Sequence, residues 1–132
     1  MFKLDPKLES DSLFIADLKL SRLLLAKDAN YLWLILVPRI EGAVELIDLE
    51  FKDQQQLLAE INMIGKIIKK DFNYQKLNIA SLGNVVKQLH VHVVGRNEDD
   101  ASFPKPIWGQ VRAKEYKIGR ANEIITEIRN LI

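Results

Sequence analysis

Cysteine is absent from this chain of 132 residues, so no disulfide, thiolate nucleophile or cysteine-ligated zinc site is available to it. A surplus of charge is absent as well: 19 lysines and arginines stand against 18 aspartates and glutamates, a net charge of +1. Nucleic acids and anionic membrane surfaces attract a basic excess, so neither is expected as a partner. A small anionic ligand stays open, because a phosphate site needs only a few donors. No apolar run reaches the ~20 residues that a membrane helix needs; the longest is Tyr31 to Val37. The first ten residues carry Lys3, Asp5, Lys7 and Glu9 where an export signal would be apolar, and a cytoplasmic location is the expectation. Glycine and proline are sparse, at 6 and 4 residues. No linker, repeat or low-complexity tract divides the chain, so one domain spanning 1–132 is expected.

What is present is an ordinary globular composition, 48% hydrophobic and 28% charged. Leu13–Leu18 and Ser21–Ala26 are short apolar runs that read as a hairpin. Asp28-Ala29-Asn30 is a turn cluster, and Tyr31–Val37 reads as a strand buried on both faces and ended by Pro38. Residues 41–51 show no periodicity. Asp53 with Gln56 forms a capping box for a helix whose apolar stripe is Leu57, Leu58, Ile61, Ile64 and Ile68, ending at Asn73. Leu77–Leu82 and Lys87–Val94 read as strands joined across Gly83-Asn84. A Pro-punctuated aromatic loop, Phe103–Gly109, precedes a last helix marked by Ala121, Ile124, Ile125, Ile128 and Leu131. Strands, helix, strands, helix is the order of an α+β fold with a largely antiparallel sheet.

The only two histidines are His90 and His92. Strand alternation puts Gln88, His90, His92 and Val94 on one face and Leu89, Val91 and Val93 on the other. The apolar face has an evident packing role; a row of polar side chains opposite it asks for another reason. Two imidazoles about 6.5–7 Å apart along one strand face can both address one phosphate or diphosphate group. A neutral imidazole is a competent nucleophile toward phosphorus, and a second can give a proton to the departing oxygen. Spacing alone leaves two further readings open. The pair is also compatible with solvated side chains on an exposed strand, or with half a metal site that only carboxylates such as Asp99 or Asp100 could complete. Trp33 reads as core. Trp108, flanked by Pro104 and Pro106, fits a lid or dimer contact over the site as well as it fits a packed core residue.

The segment Gly83-Asn84-Val85-Val86-Lys87-Gln88-Leu89-His90-Val91-His92-Val93-Val94-Gly95-Arg96 resembles the signature of the histidine-triad (HIT) family, His-φ-His-φ-His-φ-φ preceded by Gly-Gln or Gly-Asn. The resemblance extends over most of the chain. It includes the strand ending Val37-Pro38-Arg39 and the following helix. The segments Asn78–Val86 and Phe103–Gly109 are similar to a proteobacterial subgroup that carries Gln-Leu-His-Val-His in place of the full triad. The resemblance implies a five-stranded antiparallel sheet with two main helices, usually in a homodimer. It implies hydrolysis or transfer at the α-phosphate of an AMP-type nucleotide, such as a dinucleoside polyphosphate or phosphoramidate, with no metal or other cofactor in the nucleophilic step. By that match His90 is the nucleophile, His92 contacts the phosphate and the leaving oxygen, and Gln88 stands where the first histidine does. Asn78 falls near an asparagine of the phosphate region, in a loop one residue shorter than in another branch of the family. Gly83 and Asn84 match the Gly-Gln before the strand, and Asp28 matches the acidic residue that binds ribose, although it also suits its turn. Gln88 does not titrate near neutral pH, which leaves a second reading: a non-catalytic, regulatory nucleotide-binding module. Val93, where subgroup relatives often have a third consecutive histidine, falls on the opposite face from His90.

Overall fold

The computed structural model describes residues 1–132. In chain order the elements are α1 (Pro6–Ser10), β1 (Ser12–Asp17), β2 (Ser21–Ala26), β3 (Leu32–Pro38), α2 (Phe51–Lys66), β4 (Lys76–Ala80), β5 (Val91–Arg96) and α3 (Arg120–Leu131). The five strands form one antiparallel sheet in the order β1-β2-β3-β5-β4. The fold is therefore the α+β arrangement expected, with two main helices.

The pleat sorts the sheet into two faces. Leu23, Leu25, Leu34, Leu36, Val91 and Val93 point to one side, where Leu57, Ile64 and Ile68 and the last helix's Ile124, Ile125 and Ile128 close the main core. Leu24, Ala26, Ile35 and Val37 point to the other, where Leu8 and Val86 cover only part of them. Both long helices lie on the first face, so the second is left to short segments and loops. The functional site occupies that second face.

Several boundaries differ from the sequence expectation. Helix α2 starts at Phe51 with Glu50 as its cap, so Asp53 sits in the first turn and the Asp53–Gln56 capping box does not form. A second capping box does form just upstream, between Glu45 and Asp48 around a short 3-10 turn. Leu58 is exposed rather than part of the stripe. Buried Glu60 takes a place on that helix because its carboxylate accepts the N–H groups of Leu20 and Ser21 at 2.8 and 3.0 Å, caring for the β1–β2 turn. The helix runs on through a π-turn, Ile67–Asp71, and stops at Asn73 in the left-handed region (φ 60°). The strand expected over 87–94 begins only at Val91. Before it the chain bends, and Leu89 N–H bonds Ala43 O at 2.9 Å instead of a neighbouring strand. The strand expected over 77–82 ends at Ala80, leaving residues 81–90 as a loop around the site.

Candidate active site

His92 lies in β5 opposite Ile35 of β3 and Ala80 of β4, so its ring rises from the partly covered face. His90 stands one residue before β5, and its ring leans onto His92 with centroids 4.9 Å apart and planes at 77°. Both are 6% exposed. The bend before Val91 thus brings the two rings closer than an even strand rise would set them.

The hydrogen-bond partners assign the imidazole protons. His90 Nδ1 lies 2.7 Å from the backbone carbonyl of Gln88. A carbonyl only accepts, so Nδ1 carries the proton and Nε2 holds a free lone pair. His92 Nδ1 lies 2.9 Å from Trp33 Nε1. An indole N–H only donates, so here Nδ1 is the acceptor and the proton sits on Nε2. The adjacent imidazoles are fixed in opposite tautomers, one presenting a nucleophilic nitrogen and the other an N–H donor. Burial, with a smaller contribution from His90, pushes the His92 pKa down to about 4. Protonation would also set an N–H against the Trp33 N–H.

Trp33 was expected in the core; it is instead half-buried and lines the site, because the strand register brings it diagonally beside His92. Trp108 closes the other side, its ring 5.1 Å from His92 and 6.2 Å from Trp33, edge-on to each. Around these rings opens a pocket of about 480 Å³, within the range of small-molecule sites. Its wall includes Leu8, Ala26, Ile35, Val86 and Ala113, with Lys7, Asp11, Lys27 and Asn84 among its polar members.

Of the residues singled out from the sequence, His90, His92, Asp28, Gly83, Asn84 and Trp108 all line this pocket. Asp28 is buried, and its Oδ1 accepts three N–H groups, from Asn30 N, Asn30 Nδ2 and Lys114 N, at 2.8–3.1 Å. Oδ2 takes no protein donor. The turn role and a ligand role are therefore both available to this carboxylate. Gly83 turns the loop with a φ of 70°, a conformation that side-chain-bearing residues rarely adopt.

Two of the residues are not brought to the pocket. The Gln88 side chain turns to the N-terminal segment, accepting from Asp5 N at 2.8 Å and donating to Lys3 O at 2.9 Å. The bend before Val91 takes it out of the alternation that would have placed it beside His90. Asn78 instead accepts from Arg96 Nη1 at 2.7 Å. Arg96 is 1% exposed and also binds Asp100 through Nε at 2.7 Å and Nη2 at 3.1 Å, and Lys105 O at 2.8 Å. The rings of Tyr31 and Phe103 lie 5.6 and 5.5 Å from its guanidinium carbon. Burial pushes the Asp100 carboxyl up, but Arg96 and the N–H groups of Ser102 and Phe103 outweigh it and hold the pKa below the usual value. Asp100 is committed there and does not complete a metal site with the histidines. No group of three His, Asp or Glu side chains is close enough to hold a metal ion.

The sequence reading missed Trp33 and the α1 residues Lys7 and Leu8, along with Asp11 just after them. Asp5-Pro6 is a helix-start pair, Asp at the cap and Pro in the first turn, and would have revealed α1. Nothing local marks Trp33; its place depends on the β3–β5 register.

The HIT domain family model matches residues 7–99. The chain is 43% identical to a histidine triad protein of Bradyrhizobium japonicum, with a TM-score of 0.97 over 99% of this chain and 98% of that one. A histidine triad (HIT) protein of Sinorhizobium meliloti 1021 gives 37% identity and a TM-score of 0.96, over 99% and 97% of the two chains. A histidine triad protein of Marinobacter aquaeolei VT8 gives 33% and 0.96, over 99% and 96%. Among curated proteins none matches. No helix is long and apolar enough to cross a membrane.

Proposed function

Because the chain belongs to the HIT domain family, whose members are generally nucleotide-binding proteins and nucleotide hydrolases or transferases, we propose that it cleaves (di)nucleoside phosphates or nucleoside phosphoramidates at the α-phosphate through a nucleotidyl group on His90. The observation that carries this reading is the pair of opposite tautomers at His90 and His92.

The His90 Nε2 lone pair attacks the α-phosphorus, forming an N–P bond as the bond to the leaving oxygen or nitrogen breaks. His92 Nε2–H donates a hydrogen bond to the leaving atom as charge builds on it, and that atom takes any proton it needs from solvent. The nucleotidylated His90 ring carries positive charge, and its Nδ1–H bond to Gln88 O is already oriented to support that charge. Water then attacks phosphorus as the N–P bond breaks, its proton passes to solvent, and the nucleoside monophosphate leaves with the Nε2 lone pair restored to His90. Asp28 Oδ2 accepts from the ribose hydroxyls, and Trp108 covers the reacting group. The nucleophilic step uses only imidazole chemistry and calls on no metal or other cofactor. We extend the reading to a cytoplasmic homodimer whose ligand is an AMP-type nucleotide and whose partners include neither nucleic acid nor membrane.

The test is AMP release from an adenosine phosphoramidate and from diadenosine polyphosphates. Wild type is expected to turn over at least one of them, and His90→Ala to lose turnover by at least ~10³-fold while remaining folded. Tight AMP binding without turnover on any compound would replace this reading with the non-catalytic module.

A further inference from the structure

Gln88 makes an unusual pair of bonds for a side chain. Its amide oxygen accepts from Asp5 N and its amide nitrogen donates to Lys3 O, 83 and 85 residues away in sequence. These are the two bonds that a neighbouring strand would make to the same stretch of backbone. The stretch they hold matters to the site. Phe2 and Leu4 pack against the cluster of Leu8, Leu24, Ala26, Ile35, Val37 and Val86 on the pocket face. Asp5 then caps α1 through Lys7 N at 2.8 Å. From α1 and its end, Lys7, Leu8, Ser10 and Asp11 form one wall of the pocket. Meanwhile the backbone carbonyl of this same Gln88 holds the His90 Nδ1 proton. One residue therefore joins the nucleophile's mount to the wall facing it.

We propose that Gln88 is a positioning residue that clasps the N-terminal segment as a wall of the nucleotide pocket, so that it sets substrate affinity rather than the chemical step. The substrate half of this inference rests on the nucleotide reading above. An amide suits the task and an imidazole does not. The amide's oxygen and nitrogen diverge from one carbon and reach adjacent peptide groups on one strand, whereas the two nitrogens of an imidazole point to opposite sides of the ring. The change from histidine to glutamine at this position thus exchanges a ring beside the nucleophile for a tether on the pocket wall. The carbonyl that serves His90 belongs to the backbone and survives any side-chain substitution.

Three variants test this: Gln88→Leu removes both bonds at similar size, Gln88→Glu keeps only the bond to Asp5 N, and Gln88→His restores a complete triad. Amide hydrogen exchange of the nucleotide-free protein reads the clasp, and KM against kcat reads its use. All three are expected to exchange faster over residues 2–11. KM for the phosphoramidate should rise roughly tenfold in Gln88→Leu, the scale of one or two lost hydrogen bonds, with kcat within about twofold of wild type. Unchanged exchange in these variants would overturn the clasp. A fall in kcat at constant KM, or faster turnover in Gln88→His, would place Gln88 in the chemistry and overturn the affinity role. Wild-type protein that neither binds AMP nor turns over any compound refutes the nucleotide reading and with it the substrate half, while the exchange comparison still decides the clasp.

Discussion

An indole N–H can only donate, and that one-way chemistry makes Trp33 the residue that places the proton of His92. Burial keeps His92 neutral down to about pH 4, but burial alone does not choose between the two neutral tautomers; the 2.9 Å bond from Trp33 does. Trp33→Phe keeps the apolar wall and removes the donor. Nitrogen NMR of the histidine rings should show wild-type His92 in the Nε2–H form alone and the variant as a mixture of both tautomers. Turnover should fall roughly tenfold, since hydrogen-bond donation from Nε2–H to the reacting phosphate then depends on a fraction of the molecules. A single unchanged tautomer in Trp33→Phe would show that something other than the indole selects it. None of this was legible in the sequence, where a tryptophan inside an apolar run reads as packing. His90 and His92 were legible, because alternation with Leu89, Val91 and Val93 leaves a polar pair on the face opposite the core.

Between the strands and the last helix, the loop that carries Trp108 has little core of its own and is ordered largely from Arg96 at the end of β5. The guanidinium reaches Asn78, Asp100 and Lys105 O while lying between Tyr31 and Phe103. Arg96→Leu leaves the Asp100 carboxylate, 8% exposed, to backbone N–H groups such as those of Ser102 and Phe103, and losing one partner of a buried ion pair costs up to about 3–5 kcal/mol. Urea unfolding should show that loss. Trp108 fluorescence in the folded variant should shift to the red as its loop loosens. Stability and emission like wild type would mean that the loop is ordered by other contacts. The elements themselves were visible from period and punctuation: the apolar spacing of Leu57, Ile61, Ile64 and Ile68 gives α2, and that of Ile124, Ile125 and Ile128 gives α3. Their edges were not. Helix α2 begins at Phe51, with Glu50 at the cap position but making no side-chain cap bond, and Asn78 turns to Arg96 through a pairing of β4 with β5 that no local signal encodes.

Taken as a whole, the molecule commits one sheet face to a closed core and leaves the other for a pocket roofed by α1 and two loops. The order of elements was enough to infer the sheet and its two helices. It could not reveal that Gln88 reaches back to Lys3 and Asp5, since contacts more than eighty residues apart depend on the finished fold. The buried histidine also leaves a signature in global stability. Its folded pKa of about 4 lies below the ~6.5 of an unfolded histidine. Between those values the unfolded chain binds more protons, so stability falls as pH drops through that window. His92 alone contributes a loss of about 3 kcal/mol by pH 4. His92→Gln should flatten that part of the stability curve measured by urea titration; an identical slope would place the His92 pKa near its ordinary value. Covalent nucleotidylation of His90 is read out by rapid-quench mass spectrometry after mixing with adenosine phosphoramidate. A transient AMP adduct mapped to His90 is expected in wild type, with none in His90→Ala. AMP release by the wild type without any adduct on His90 would refute the covalent route.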